Sequence, residues 1–274
     1  MQFGGPWTET KLEILEAYLD AYTTALKRKP FKLIYIDAFA GTGRIELQED
    51  GETIGFLRGS AERALRIRDK SFDELIFIER DSTRCVELGK LRHTHPQRTI
   101  TIEQGEANAV LSGLRREWRS CRGVLFLDPF ATEVEWTTLR RIASLNALDT
   151  WILFPVSAVA RMLPAARRPE DISPLWASRL TSVFGDESWR DLYSEDPQRN
   201  LFGESRSIRE RGVDRLLGIY KENLAGLFGD RFLRESRRLV SSTESPLFEF
   251  MFCVGSPNAI DLAKGIARHL LIRM

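Results

Sequence analysis

Short apolar runs separated by stretches of helical character, the first four ending in an acidic residue or a glycine turn, restrict this chain more than any other feature. Lys32 to Ala40 (KLIYIDAFA) leads into Gly41-Thr42-Gly43. Glu74 to Glu79 (ELIFIE), Thr99 to Glu103 (TITIE), Gly123 to Asp128 (GVLFLD) and Thr150 to Phe154 (TWILF) repeat the form. Their β-branched and aromatic content suits buried strands. Asp81 to Leu91, Asn108 to Trp118 and Glu135 to Leu145 supply helices between them. Strands alternating with helices build βαβ units, hence a parallel sheet covered on both faces and wound by right-handed crossovers.

The flanks complete the plan. Trp7 to Leu26 carries Leu12, Leu15, Leu19, Tyr22 and Leu26 at spacings of three and four, with Thr8 or Thr10 to cap it. That is an amphipathic helix lying on something larger. The alternation stops at Pro155. From there to about Ser205 the chain is rich in Pro, Trp and Arg, with Pro164, Pro169, Pro174, Trp176, Trp189 and Pro197, and reads as a helical insertion above the sheet. A helix near Ser207 to Phe228 follows. Arg238 to Ser242 and Leu247 to Val254 then form two strands joined by a Thr-Glu-Ser-Pro turn, and Pro257 to Leu271 a last helix. The expected architecture is one α/β domain over residues 1–274: an N-terminal helix (1–30), a βα core (31–155), the insertion (156–206), and a helix, antiparallel edge hairpin and helix (207–274).

Open α/β sheets bind ligands beyond the carboxyl ends of their strands. The first strand delivers Asp37-Ala38-Phe39-Ala40-Gly41-Thr42-Gly43, whose glycines let the backbone turn and approach a ligand closely. Asp37 suits an ammonium group or a bridging water. The second strand ends in Glu79, an acceptor for a ribose diol. Gly105-Glu106-Ala107-Asn108 follows the third, with Glu106 placed to accept from an adenine amino group, and the fourth ends in Asp128-Pro129-Phe130. A G-x-G-x-x-G/A dinucleotide fingerprint fails at Glu46, and Glu79 lies much farther on than the usual ~20 residues. An acidic pocket also suits a sulfonium amino acid better than a pyrophosphate. S-adenosylmethionine is therefore the expected cofactor. The plainer reading is that Gly41 and Gly43 only make a tight turn.

Taken together, these residues resemble a class I methyltransferase, with its mostly parallel seven-stranded sheet, and more narrowly the three-Cys-motif partner family. The resemblance rests on Phe3-Gly4-Gly5-Pro6-Trp7-Thr8 with Lys11-Leu12, on Tyr35 to Gly43, on Gly59-Ser60-Ala61, on Phe126 to Phe130 with Glu135-Trp136, on Phe154-Pro155 and on Pro246-Leu247-Phe248. It implies methyltransferase-like activity, a companion protein bearing three cysteines, and a mobile or phage-linked genetic setting. Trp7 and Lys11 could close over the methionine end of the cofactor; Lys11 has a second reading as a solvated charge. Asp128-Pro129-Phe130 is similar to the Asp-Pro-Pro-Tyr/Phe motif that holds and stacks an exocyclic nucleobase amine. With one proline instead of two, Phe130 sits one residue early. Asp128, Pro129 and Phe130 are the candidate catalytic residues; Asp128 has an equal claim as a cofactor contact.

Composition narrows the partners. Forty Lys and Arg against 39 Asp and Glu give a net charge of +1, so nucleic-acid contact would need local patches. Arg161, Arg167, Arg168 and Arg179 interleaved with Trp176 and Trp189, and later Arg231, Arg234, Arg237 and Arg238, are candidates for phosphate tracking and base stacking or else a solvated face. Cys85, Cys121 and Cys253 form no CxxC pair, and His93 and His95 have no carboxylate spaced to join them, so no metal site is expected. The first residues lack a signal-peptide pattern and no apolar run approaches the ~20 residues of a membrane span, so a cytoplasmic protein is expected. Two functions stay open: a methyltransferase acting on a nucleic-acid amine, and a methyltransferase-like module that docks onto a companion.

Overall fold

The computed structural model describes residues 6–49, 52–67, 71–163, 168–195, 207–209 and 212–274. In chain order the elements are α1 (Pro6–Leu26), β1 (Lys32–Asp37), β2 (Arg44–Glu49), β3 (Glu52–Arg58), α2 (Ser60–Arg66), β4 (Glu74–Glu79), α3 (Ser82–Thr94), β5 (Ile100–Gln104), α4 (Ala107–Gly113), β6 (Cys121–Leu127) and α5 (Trp136–Leu145). They continue as β7 (Leu148–Phe154), α6 (Val156–Met162), α7 (Pro174–Phe184), β8 (Tyr193–Glu195), β9 (Ser207–Arg209), α8 (Val213–Phe228), β10 (Phe232–Val240), β11 (Pro246–Cys253) and α9 (Ile260–Arg273).

Seven strands form one sheet in the order β10-β11-β7-β6-β1-β4-β5. Pairings from β7 to β5 are parallel; β11 runs antiparallel to both β7 and β10. This is the Rossmann-like class I methyltransferase fold, with its strand order reversing beside β1. Side chains alternate across the sheet as strand geometry requires. Leu33, Tyr35, Trp151 and Leu153 enter a core under α1, α2, α3 and α9, while Ile34, Ile36, Ile152 and Phe154 enter a second core under α4 to α8. A buried polar contact docks α1: Tyr18 Oη donates to Asp149 at 2.6 Å, and Gly255 N–H donates to the other oxygen at 2.7 Å. Burial pushes the Asp149 carboxyl up to about 6. Among the described residues no helix is long and apolar enough to cross a membrane.

The structure departs from the sequence reading in several places. Arg44–Glu49 and Glu52–Arg58 pair as an antiparallel hairpin between β1 and α2; alternation in 44–49 and the Asp50-Gly51 dipeptide are its sequence signal. The helix expected from Asn108 to Trp118 ends at Gly113, and the one expected from Ser207 begins only at Val213. β10 starts at Phe232, six residues before the expected strand. Its Arg-Glu-Ser-Arg-Arg stretch looks unlike a strand because it lies at the sheet edge, where charge is tolerated and discourages further pairing. The opening Phe3-Gly4-Gly5, and Pro164, Arg167 and Pro197 of the insertion, fall outside the described residues.

The insertion is part of the core. Leu180, Val183 and Phe184 of α7 and the fully buried Trp189 pack with α5 and α8. The Trp189 indole N–H donates to Thr181 Oγ1 at 3.0 Å. Helix α7 ends at Gly185 with φ +89°, where a Cβ would stand 2.2 Å from the Trp136 ring. Gly185→Ala is expected to destabilise the protein by about 3 kcal/mol, from the disfavoured backbone and the collision together. Denaturant unfolding checks it; an unchanged midpoint would mean the turn can move aside.

Candidate functional site

The carboxyl ends of β1, β4, β5 and β6 meet at one cleft of about 360 Å³, open to solvent and lined by Phe39, Glu79, Arg80, Glu106, Phe130 and Glu133 among others. That volume includes open solvent; the space able to hold the centre of a water molecule is about 30 Å³, so the cleft is a shallow groove, well below the size of a closed small-molecule pocket. After β1 the chain turns through Gly41 (φ +59°) and Gly43 (φ +76°), conformations that disfavour any side chain. A Cβ on Gly41 would meet nothing within 4 Å, so its backbone stays open; one on Gly43 would press on Leu91 at 3.2 Å.

Glu79 holds this turn. Only 5% exposed, it accepts from Gly41 N–H at 3.0 Å and from Asp81 N–H at 2.9 Å, one on each oxygen. A carboxylate offers about four acceptor sites, which leaves two for ligand hydroxyls. Glu106 caps α4: Ala109 N–H donates to it at 3.0 Å and Asn108 Nδ2 at 2.8 Å.

Asp37 is completely buried and lies beneath the cleft wall, not in it. Phe39 N–H and the Tyr35 hydroxyl donate to its two oxygens through long contacts of 3.4 Å, and Ser60 donates as well. Burial raises its carboxyl to about 7 in spite of those donors, with the charge of Asp128 adding to the rise. A cation bound above would favour the ionised form.

Asp128 and Phe130, two positions apart in sequence, face different neighbours. Lys11 Nζ lies 2.5 Å from Asp128 Oδ2, the two side chains being 6% and 22% exposed. Lys11 Nζ is also 5.1 Å from the centre of the Trp7 ring, which packs on Phe248 at 4.9 Å. Lys11 is therefore a buried, paired cation and not a solvated charge. Phe130 turns into the cleft with Glu79 and Glu106, and the Arg84 guanidinium lies 5.4 Å from its ring centre. Removing one member of a buried pair strands the other charge. Lys11→Met is expected to cost about 2 kcal/mol, and Asp128→Asn placed on top should restore part of it. A double-mutant cycle in urea reads the coupling; strict additivity would contradict the pairing.

None of the described residues of 156–195 lines the cleft. Several candidate basic residues are committed elsewhere. Arg231 donates to the carbonyls of Ala143 and Gly255, Arg234 pairs with Glu222, and Arg238 pairs with Glu249 and Asp214. Trp189 is buried and cannot stack on a base; Trp176 is exposed. His93 and His95 join no metal cluster, and among the described residues no group of three metal-ligating side chains occurs. Asn108, Arg80, Arg84 and Glu133 were not singled out by sequence; Asn108 stands in the quoted Gly105 to Asn108 turn, and its partners other than Glu106 lie 25 or more positions away.

No protein-family model matches this chain, and no curated protein matches it in sequence. Solved structures do match in fold. Protein LPL1258 from Legionella pneumophila str. Philadelphia 1, described under the family model DUF519, overlays with a TM-score of 0.52 at 14% identity, over 94% of this chain and 90% of that one. Trm1 from Pyrococcus horikoshii, solved with S-adenosyl-L-methionine, gives 0.48 at 11% identity over 95% of this chain, which spans only 58% of that protein. An S-adenosylmethionine-dependent methyltransferase from Clostridium acetobutylicum gives 0.40 at 9% identity, over 88% and 92%. At 14% identity the Legionella likeness is one of fold.

Proposed function

We propose that this chain binds S-adenosylmethionine in the cleft and transfers its methyl group to an exocyclic amine of a nucleic-acid base. The observation that carries the reading is Glu79: a buried carboxylate that clamps the glycine turn, lines the cleft and keeps acceptor capacity for a ribose diol. The donor set fits the group. The cleft lining carries Glu79, Glu106 and Glu133 with Arg80, Phe130 adds an aromatic ring to it, and a Cβ on nearby Gly41 would meet nothing within 4 Å. When bound, the cofactor supplies an electrophilic methyl on a sulfonium.

The chain's own residues do the rest. Glu79 holds the ribose, Glu106 accepts from the base, and Phe130 packs on it. Asp37 lends negative charge from beneath the turn. Asp128 is the acceptor for an amine N–H, which must share the carboxylate with Lys11. Positioning of this kind supplies much of the rate of a displacement that needs no covalent help. The three-Cys-motif partner resemblance adds a companion protein to this proposal, and a cytoplasmic setting goes with it.

One observation favours the second reading, a docking module without catalysis: Asp128 is already engaged by Lys11. Incubation with methyl-labelled S-adenosylmethionine and pools of RNA or DNA separates the two. Transfer to nucleic acid that is lost in Asp128→Asn supports the enzyme; cofactor binding without transfer, with and without a three-cysteine companion, sinks it.

A further inference from the structure

The cleft is bounded by loops that no strand pairing holds together. Glu106 follows β5 and the 129–135 segment follows β6, and in the sheet these strands are separated by β1 and β4. Their spacing must be set by something else. Asn108, 9% exposed, spans the gap with its whole hydrogen-bonding capacity. Its Nδ2 donates to Glu106 and to the Glu133 carbonyl, both at 2.8 Å. Its Oδ1 accepts from Glu135 N–H at 3.0 Å and from the Thr138 hydroxyl at 2.8 Å. One side-chain amide thus orients the Glu106 carboxylate and ties it to the wall that carries Phe130.

We infer that Asn108 is the positioning residue that gives the cleft its preference for an adenine base. The inference rests on the reading of the cleft as an adenosine site. Glu106 can only accept, so it favours a base edge that presents an amino group and disfavours one that presents an oxygen. That discrimination needs the carboxylate held in one orientation. Without the Asn108 amide, Glu106 keeps its cap on Ala109 but loses the donor that fixes its other oxygen, and Glu133 and Glu135 lose partners. Asn108→Asp keeps the volume while turning two donors into acceptors that face a carboxylate and a carbonyl.

The test compares S-adenosylhomocysteine with S-inosylhomocysteine, whose base carries an oxygen in place of the amino group, by calorimetry on the full chain. The wild type is expected to prefer the adenosine ligand by about ten-fold or more, as one charge-assisted hydrogen bond would give. Asn108→Ala and Asn108→Asp, each shown folded by circular dichroism, should bring the ratio within about three-fold. Thr138→Val removes one bond of the four and should fall between, which serves if the Asn108 variants do not fold. Equal weakening of both ligands, with the ratio intact, would mean a merely structural role and overturn the inference. A wild type that binds neither ligand would overturn the adenosine reading and this inference with it. A wild type that binds both equally would overturn this inference alone.

Discussion

Asp37→Asn should make the protein more stable at pH 8 and worse at binding S-adenosylmethionine. The carboxyl is fully buried and raised from 3.8 to about 7. A folded value above the unfolded one means that this group's contribution is fully present below about pH 4 and is lost as pH rises to 7. Above 7, keeping the buried carboxylate ionised costs about 4 kcal/mol. Asparagine has no such cost. Its oxygen still accepts from Phe39 N–H, and its amide can donate to the Tyr35 and Ser60 hydroxyls, which can reverse roles. Thermal melts should therefore show a gain of several degrees at pH 8 and almost none at pH 4. The same change removes the charge beneath a cationic ligand and should weaken binding about ten-fold. A melting temperature that falls at pH 8 would show that the ionised form is the one the fold prefers.

The second large effect belongs to Glu79. Glu79→Ala deprives Gly41 N–H and Asp81 N–H of their acceptor, and an unpaired buried donor costs roughly 1–3 kcal/mol. It also removes the expected hold on the ribose. Cofactor affinity should drop at least about a hundred-fold, since loop geometry and ligand contact are lost together. Glu79→Gln should do little better, because its amide would face one of the two N–H groups donor to donor. Calorimetric titration of both variants is the check. Binding retained in Glu79→Ala would place the ligand away from the β4 strand end.

What the sequence made legible follows from periodicity. Asp37, Glu79, Glu106 and Asp128 end strands or open helices, and a parallel sheet brings such positions to one edge whatever lies between them. The pairing of Lys11 with Asp128 was out of reach for the opposite reason. Those residues are 117 positions apart, and the docking of α1 on the sheet, through its apolar face and the Tyr18–Asp149 contact, brings them together. Phe130 shows the same limit: its motif suggested a substrate base, and only the fold places it in a cleft lined also by Glu79 and Glu106. β10 hid behind Arg234, Glu235, Arg237 and Arg238 because edge strands carry charges that a central strand does not. Asn108 was visible as a residue of a turn, but the role inferred for it needs Glu133, Glu135 and Thr138, which follow β6, a strand separated from β5 by β1 and β4.

The measurement that goes most directly to the central claim is a calorimetric titration of the folded chain with S-adenosylmethionine at pH 6, 7 and 8, in buffers of differing ionisation enthalpy. Because a bound cation draws Asp37 to its ionised form, the expected result is micromolar binding that tightens with pH and levels off above about 7, with release of about half a proton at pH 7. Absence of binding, or an affinity indifferent to pH with no proton released, would contradict it.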